Sequence, residues 1–431
     1  MNPRTRLFLR RQGGAATLVV VMVLFLVMAL LAAYANRALL FEQRVAASYF
    51  RSSLAQEVAE AGVEWTLAQL NGAAVDDQCK PVSTGGQRFV DRYLQINPAD
   101  RLISYNVPTG KVVVDCARDA ANNGWSCRCP AADTTPTARA PIGGNQLAPS
   151  FRLDKLVSHR GGTAQLTVLS CTDSVPDHCA VGQLAEVSNA QLAKLSLNTT
   201  IALVSAVRSP PAAPLVVRGN IVSAGAGLGL HNTDARSAGM LASLSGQWTG
   251  RVDDRLESVP GTAIGDLVTA GPDSKLPATA EDLFKMFMGT SVTVYPRHPS
   301  LRKVSCSGDC GTALEAAYNA GKRVVWVDGP LEISSKVLGS LSDPMLIVAT
   351  GDVVLQGSFE LNGMLVSQGH LSWQNAFALP QRINGILLVG GGMETNGRMD
   401  IVYQQTVADQ LRNRMGSFVR VPGGWSDTDG L

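Results

Sequence analysis

Residues Ala15 to Ala35 carry no charged side chain, and Thr17 and Tyr34 are the only polar ones among them. A helix over such a run is about 30 Å long, the thickness of a bilayer's hydrocarbon core. Arg4, Arg6, Arg10 and Arg11 precede it with no acidic residue between them. That charge bias predicts a cytoplasmic N-terminus and everything after Asn36 on the outer side. Three fates fit such a segment. It is a plain anchor, a secretory signal cut after Ala33-Tyr34-Ala35, or a helix released at Gly13 or Gly14, which sit between the basic stretch and the apolar run. The apolar run exceeds the 7–15 residues usual for a secretory signal.

Helical pattern does not stop at Asn36. The stretch from Asn36 to Gly72 lacks proline and is rich in Ala, Leu, Glu, Gln and Arg, all good helix formers. Leu54, Val58, Ala61, Trp65 and Ala68 fall at helical spacing and predict one apolar stripe, with Glu57, Glu60 and Glu64 on another face. One helix from Ala15 to Leu70 is then about 84 Å long, apolar all round in its first half and amphipathic in its second.

Arg-Arg-Gln-Gly-Gly-Ala-Ala-Thr-Leu-Val, starting at Arg10, resembles a prepilin leader, and the run from Phe41 to Leu67 resembles the PilX-type minor pilin N-terminus. The likeness covers about the first 70 residues. It implies cleavage beside Gly13, Gly14 and Ala15 by a prepilin peptidase. It also implies co-assembly with other minor and major pilins through the N-terminal helix, an inner-membrane stage, and a tip adhesin as a further partner. One departure stands out. Major pilins carry Glu five residues after the cut, where this chain has Val19, or Leu18 if the cut follows Gly13. An apolar residue there cannot neutralise a neighbour's terminal amine, which points to a subunit at the fibre tip or in the priming complex.

Eight cysteines, Cys79, Cys116, Cys127, Cys129, Cys171, Cys179, Cys306 and Cys310, all follow the apolar run. An even count on the oxidising side reads as disulfides. Cys171/Cys179 and Cys306/Cys310 are local pairs; the other four allow three connectivities. Cys127 and Cys129 are too close for an easy mutual bridge and are expected to pair outward. The spacing of Cys306 and Cys310 also suits zinc, but no His follows at a finger-like distance. Asp173, Asp177 and His178 sit in the Cys171–Cys179 loop, which reads as a solvated loop in preference to a calcium site.

Between residues 71 and 208, alternating stretches at 111–115, 164–170 and 193–205 predict an antiparallel sheet packed on the stem helix, the αβ-roll head that pilins share. Residues 116–141 read as loop. Three prolines within 209–214 mark a linker. Beyond it, aliphatic bursts end in Gly329, Gly351, Gly369 and Gly391, spaced by 22, 18 and 22 residues. Periods near 20 predict a parallel β-solenoid over 215–431, with an earlier rung at 215–222 and short helices over 281–288 and 311–320. Segments such as Val324–Leu331 and Val421–Trp425 resemble the extension of long PilX-like proteins.

The expected fold is therefore α+β: a leader at 1–14, a transmembrane or fibre-core helix at 15–36, its periplasmic continuation at 37–70, a head at 71–208, a linker at 209–214 and a solenoid at 215–431. With 37 basic and 35 acidic residues, the balance argues against a nucleic-acid partner. No P-loop, Gly-x-Ser-x-Gly or His-Glu-x-x-His occurs, and Gly225–Gly229 and Gly390–Gly392 lack the context of a dinucleotide site. No catalytic group, cofactor or metal is expected. The carboxylates that a lyase-like surface would use are Asp328, Asp352 and Glu360, with Asp328 and Asp352 expected at equivalent turn positions. Trp373 reads as core or rim. The expected function is that of a minor pilin that primes or caps a type IV pilus and displays its C-terminal half. The alternatives are a secreted β-helix carbohydrate-active protein or adhesin and a type II secretion minor pseudopilin.

Overall fold

The computed structural model describes residues 15–106, 114–119, 124–131, 148–179, 192–224, 227–250, 255–375 and 379–426. A single helix runs from Ala15 to Leu70, 56 residues without a break. Up to Phe50 it touches little else of the chain, and its apolar side chains lie exposed. From Ala55 onward one side is buried against the head.

The head is a six-stranded antiparallel sheet. Its order is 416–426, 194–205, 163–171, 150–160, 114–119 and 124–128. The stem packs across it, with Val58, Val63 and Leu67 among Phe151, Leu166, Val168 and Ile201. Gly62 permits this contact. A Cβ there would lie 2.7 Å from Val168 Cγ1 and 3.0 Å from the Phe151 ring. The buried stripe is displaced from the one expected from the sequence. Val58 is buried as expected, but so are Ala55, Ala59, Val63 and Thr66, while Trp65 is half-buried and Ala68 is exposed. Small side chains face the sheet because the helix approaches it closely, and Trp65 flanks the seam, stacking edge-on to Phe89. The stretch expected as loop contains the strand Gly124–Arg128, tied to its neighbour by the Cys116–Cys127 disulfide. A Cys79–Cys129 bridge closes a span of 50 residues, worth about 4 kcal/mol by loop entropy.

The C-terminal half is sheet-rich, so the chain is α+β with a long helix first. Its strands pair in parallel along three ladders. The first runs through Leu301–Val304, Val324–Val327, Met345–Ala349, Gly363–Ser367, Ile386–Val389, Leu215–Val217, Ala242–Leu244 and Val268–Ala270. The second stacks 331–334, 353–356, 371–375, 393–397, 221–224 and 248–249. The third stacks 337–338, 360–362, 382–384, 399–402, 228–232 and 255–258. First and third ladders join at corners such as Gly385, whose φ is +146° and whose Cβ would sit 1.9 Å from Gly363 O. Inward residues, among them Ile221, Leu230, Leu355, Trp373 and Ile401, form one core. Outward residues of the first ladder, including Trp326, Val348 and Leu388, are covered by helices Ala280–Met288 and Gln405–Asn413.

Residues 215–222, expected as an earlier rung, join the ladders beside the strand Arg382–Val389, Leu215 level with Leu387, so the chain enters the stack in its middle. One expected boundary needs correction: the lobe does not run unbroken from 215 to 431. Strand Gly416–Ser426 leaves it and pairs with Lys194–Ser205 in the head, Gly416 level with Ser205. Ala206 N donates to Met415 O at 2.9 Å. The lobe therefore occupies the turn of a head hairpin. Aliphatic spacing marks coils but not which sheet a strand joins, and Phe418 is as apolar as any lobe residue.

Candidate functional site

Among the described residues, the first part of the stem is exposed over its apolar length. Leu18 to Leu31 form a sleeve of exposed Leu, Val, Met and Phe side chains, with Phe25 74% exposed. This is the one helix among the described residues long and apolar enough to cross a membrane. Exposure continues past it through Leu39, Leu40, Phe41, Val45, Tyr49 and Phe50. So large an apolar area is unusual on the surface of a soluble monomer, and the sleeve is compatible with a single-pass membrane anchor. Where the helix reaches the head, its polarity changes. Arg420 on the edge strand pairs with Glu60 at 2.8 Å and lies 4.0 Å from Glu64, and the Glu60 hydrogen bond raises the Arg420 guanidinium further above its ordinary value. Two of the three glutamates on the predicted acidic face thus hold the C-terminal strand to the stem.

Val19 stands fully on the exposed sleeve with apolar neighbours. Ala15 is the first described residue of the helix. Gly13 and Gly14 lie outside the described residues. Cys306 bonds to Cys310, and Cys79, Cys116, Cys127 and Cys129 bond as above, with Cys127 and Cys129 pairing away from each other. Cys171 is also disulfide-bonded; the Cys179 side chain lies outside the described residues. In the Cys171–Cys179 loop, Asp173 is engaged by His178 Nδ1 at 2.7 Å and by the Val175 amide.

The carboxylates suggested for a catalytic surface are separated by register. Val327 is level with Ala349 and Leu331 with Val353, so Asp328 stands opposite Thr350 and Asp352 opposite Pro330. They flank their turn glycines from opposite sides and are not equivalent. Each is engaged by a nearby donor. Asp328 accepts from Trp326 Nε1 at 2.6 Å, and Asp352 accepts from the His370 amide at 2.7 Å. Glu360 accepts from Asn384 Nδ2 at 3.0 Å. Trp373 is wholly buried in the lobe core.

One cluster has no sequence signature. His231 Nδ1 meets Glu257 at 2.8 Å, and its Nε2 meets Asp400 at 3.1 Å. Arg255 also donates to Asp400 at 2.6 Å. These residues sit on neighbouring rungs of the third ladder, yet His231 and Asp400 are 169 residues apart in sequence. The Asp400 hydrogen bond raises the His231 pKa against the effect of burial. Burial alone would raise the Asp400 pKa, but His231 and Arg255 hold it at about 2. The cluster ties the strand Leu228–Asn232 to its parallel neighbours Arg255–Ser258 and Met399–Val402.

Residues 13–64 match the PilX N-terminal family model. No curated protein matches the chain at a significant level. Among solved structures, an ice-binding protein from the Antarctic ascomycete Antarctomyces psychrotrophicus is similar at 12% identity and TM-score 0.21 over 45% of this chain and 94% of that one. The competence-associated pilin ComZ from Thermus thermophilus is weakly similar at 8% identity and TM-score 0.19, over 86% of this chain and 95% of that one.

Proposed function

Starting from a chain whose residues 13–64 form a PilX N-terminal domain, we propose that it is a minor pilin of a type IV pilus. In this reading it enters the inner membrane through residues 15–36, is cut beside Gly13 or Gly14 by a prepilin peptidase, and joins other pilins through the same helix. The observation that carries it is the continuity of one helix, exposed and apolar to Phe50 and packed on an antiparallel sheet from Ala55. A detachable anchor or a secretory signal has no need of that rigid continuation.

Placement at the tip or in the priming complex is supported by two features. Val19 supplies no carboxylate for a subunit above to dock onto, and an isolated charge in hydrocarbon is kept only when paired. The lobe of three stacked ladders is read as a β-solenoid, carried as a display module whose bulk suits the end of a fibre better than its shaft. Such a subunit acts by packing and docking, with no bond-making step.

N-terminal sequencing of membrane-fraction protein tests the leader. A start at Gly14 or Ala15, with an N-methylated residue, is expected, and bulky replacements at both glycines should leave the leader attached. A start at Asn36 sinks the proposal in favour of a secreted protein. Labelling of sheared pili should place the lobe at fibre ends; label along the shaft removes the tip assignment.

A further inference from the structure

Between head and lobe lies a cavity of about 50 Å³ lined with Asn71, Arg88, Asp91, Lys322, Arg323 and Arg414. An adjoining recess shares Arg88, Arg323 and Arg414 and adds Asp343. Four cations thus face two carboxylates. Both carboxylates are already shared: Asp91 by Arg88 at 2.5 Å and Arg414 at 3.1 Å, Asp343 by Arg323 at 2.6 Å and Arg88 at 3.3 Å. Lys322 is left over. Its Nζ donates to the Asn71 carbonyl at 3.0 Å, and among the described residues no carboxylate pairs with it. It lies near the Arg302 and Arg88 guanidiniums; burial lowers its pKa, and those two charges lower it further.

An uncompensated charge in a partly buried space is costly, and a bound counter-ion is the simplest remedy. The space suits one. A single water occupies roughly 10–15 Å³ on the same measure, so this cavity has room for a few waters or one tetrahedral ion. Ammonium and guanidinium donors also suit oxyanion geometry, since arginine presents a planar fork to two oxygens at once.

We propose that the junction cavity binds one small tetrahedral oxyanion, inorganic phosphate or sulfate, which bridges Lys322 and Arg88 and fastens the lobe to the head. The ion touches the lobe through Lys322 and the head through Arg88, so its occupancy sets how firmly the display module is held. The inference does not depend on the pilin reading; it rests on the junction alone.

The test uses the full chain in a phosphate-free detergent. Inorganic phosphate is titrated at constant ionic strength against chloride, with thermal unfolding and calorimetry as readouts. Saturable binding of one ion per chain and a saturable rise in Tm are expected, where a general salting effect rises without saturation. Lys322→Gln should weaken the apparent Kd by about tenfold or more, a loss typical of a charge-assisted contact. In phosphate-free buffer the same variant should match or exceed the wild type in Tm, because it removes an unpaired cation. Lys322→Arg should retain binding, and Lys303→Gln, exposed on the lobe, should behave as wild type. Absence of saturable heat with the wild-type chain overturns the proposal, as does a Lys322→Gln variant that binds phosphate unchanged. Should Lys322→Gln fail to fold, Lys322→Met serves as the charge-free variant and the wild-type calorimetry still decides.

Discussion

His231 shows how much a single side chain can depend on residues far along the chain. With a carboxylate on each ring nitrogen, both nitrogens act as donors and the imidazolium form is favoured. Glu257 and Asp400 face it from the two flanking rungs, and Arg255 faces Asp400 from the same side. Because the folded-state pKa lies above 6.5, this group stabilises the fold fully below pH 6.5, and the contribution fades as pH rises through the raised value. Asp400 has the opposite sign. Its contribution is complete above the ordinary carboxylate range and disappears only as pH falls through about 2. Wild-type Tm should therefore decline from pH 6.5 upward more than that of His231→Gln, whose curve stays flatter there. Parallel curves for the two chains over pH 5–9 would show that the cluster does not titrate in this window. Nothing in the sequence around His231 announces this arrangement, since the partners come together only through the mid-stack entry of the chain.

Elements are legible in the sequence to different degrees. The stem helix is written there twice, by its charge-free run and by its helix-forming continuation, and its C-terminal end falls at Leu70 as expected. Its buried face is not. Large residues draw the predicted stripe toward Leu54 and Trp65, whereas close approach to a sheet selects small ones, Ala55, Ala59 and Gly62. Gly62→Leu should accordingly destabilise the head by about 1–3 kcal/mol through overpacking against Val168 and Phe151, despite the gain in helix propensity. Denaturant unfolding reads this out, and an unchanged midpoint would mean the seam is looser than these distances imply. The short helix Gln405–Asn413 escapes a sequence reading because its buried apolar positions, Val407, Ala408 and Leu411, span little more than one turn. The lobe strands are far plainer, because turn glycines recur between them.

For the whole molecule, the decisive fact is the place of the lobe. The head hairpin of Lys194–Ser205 and Gly416–Ser426 is interrupted by residues 206–415, which leave and return at paired positions. Asn71 secures the returning strand, its side chain donating to Phe418 O and accepting from Phe418 N, both at 2.8 Å. Joining Ser205 to Gly416 through an Asn-Gly turn should therefore give a folded head, since a two-residue loop suits an antiparallel hairpin. A chain ended at residue 208 should instead unfold more readily, having lost the edge strand, Arg420 and the Asn71 contacts. Protease resistance and circular dichroism of the two shortened chains check this. Equal stability would mean the returning strand is dispensable.

The sequence by itself determined everything local. It set the apolar length of the stem, the cysteines available for bridges and the short-range alternation and turn glycines that make strands and turns. These depend on side chains within one or two dozen residues of each other. Tertiary structure alone decided the order in which the parallel strands stack, the return of the last strand to the head, the clustering of His231 with Asp400 and the crowding of cations around Lys322. Parallel and antiparallel edges accept any strand whose backbone groups and apolar side chains fit. The choice among them is made by the packing of the whole chain, and no local pattern records it.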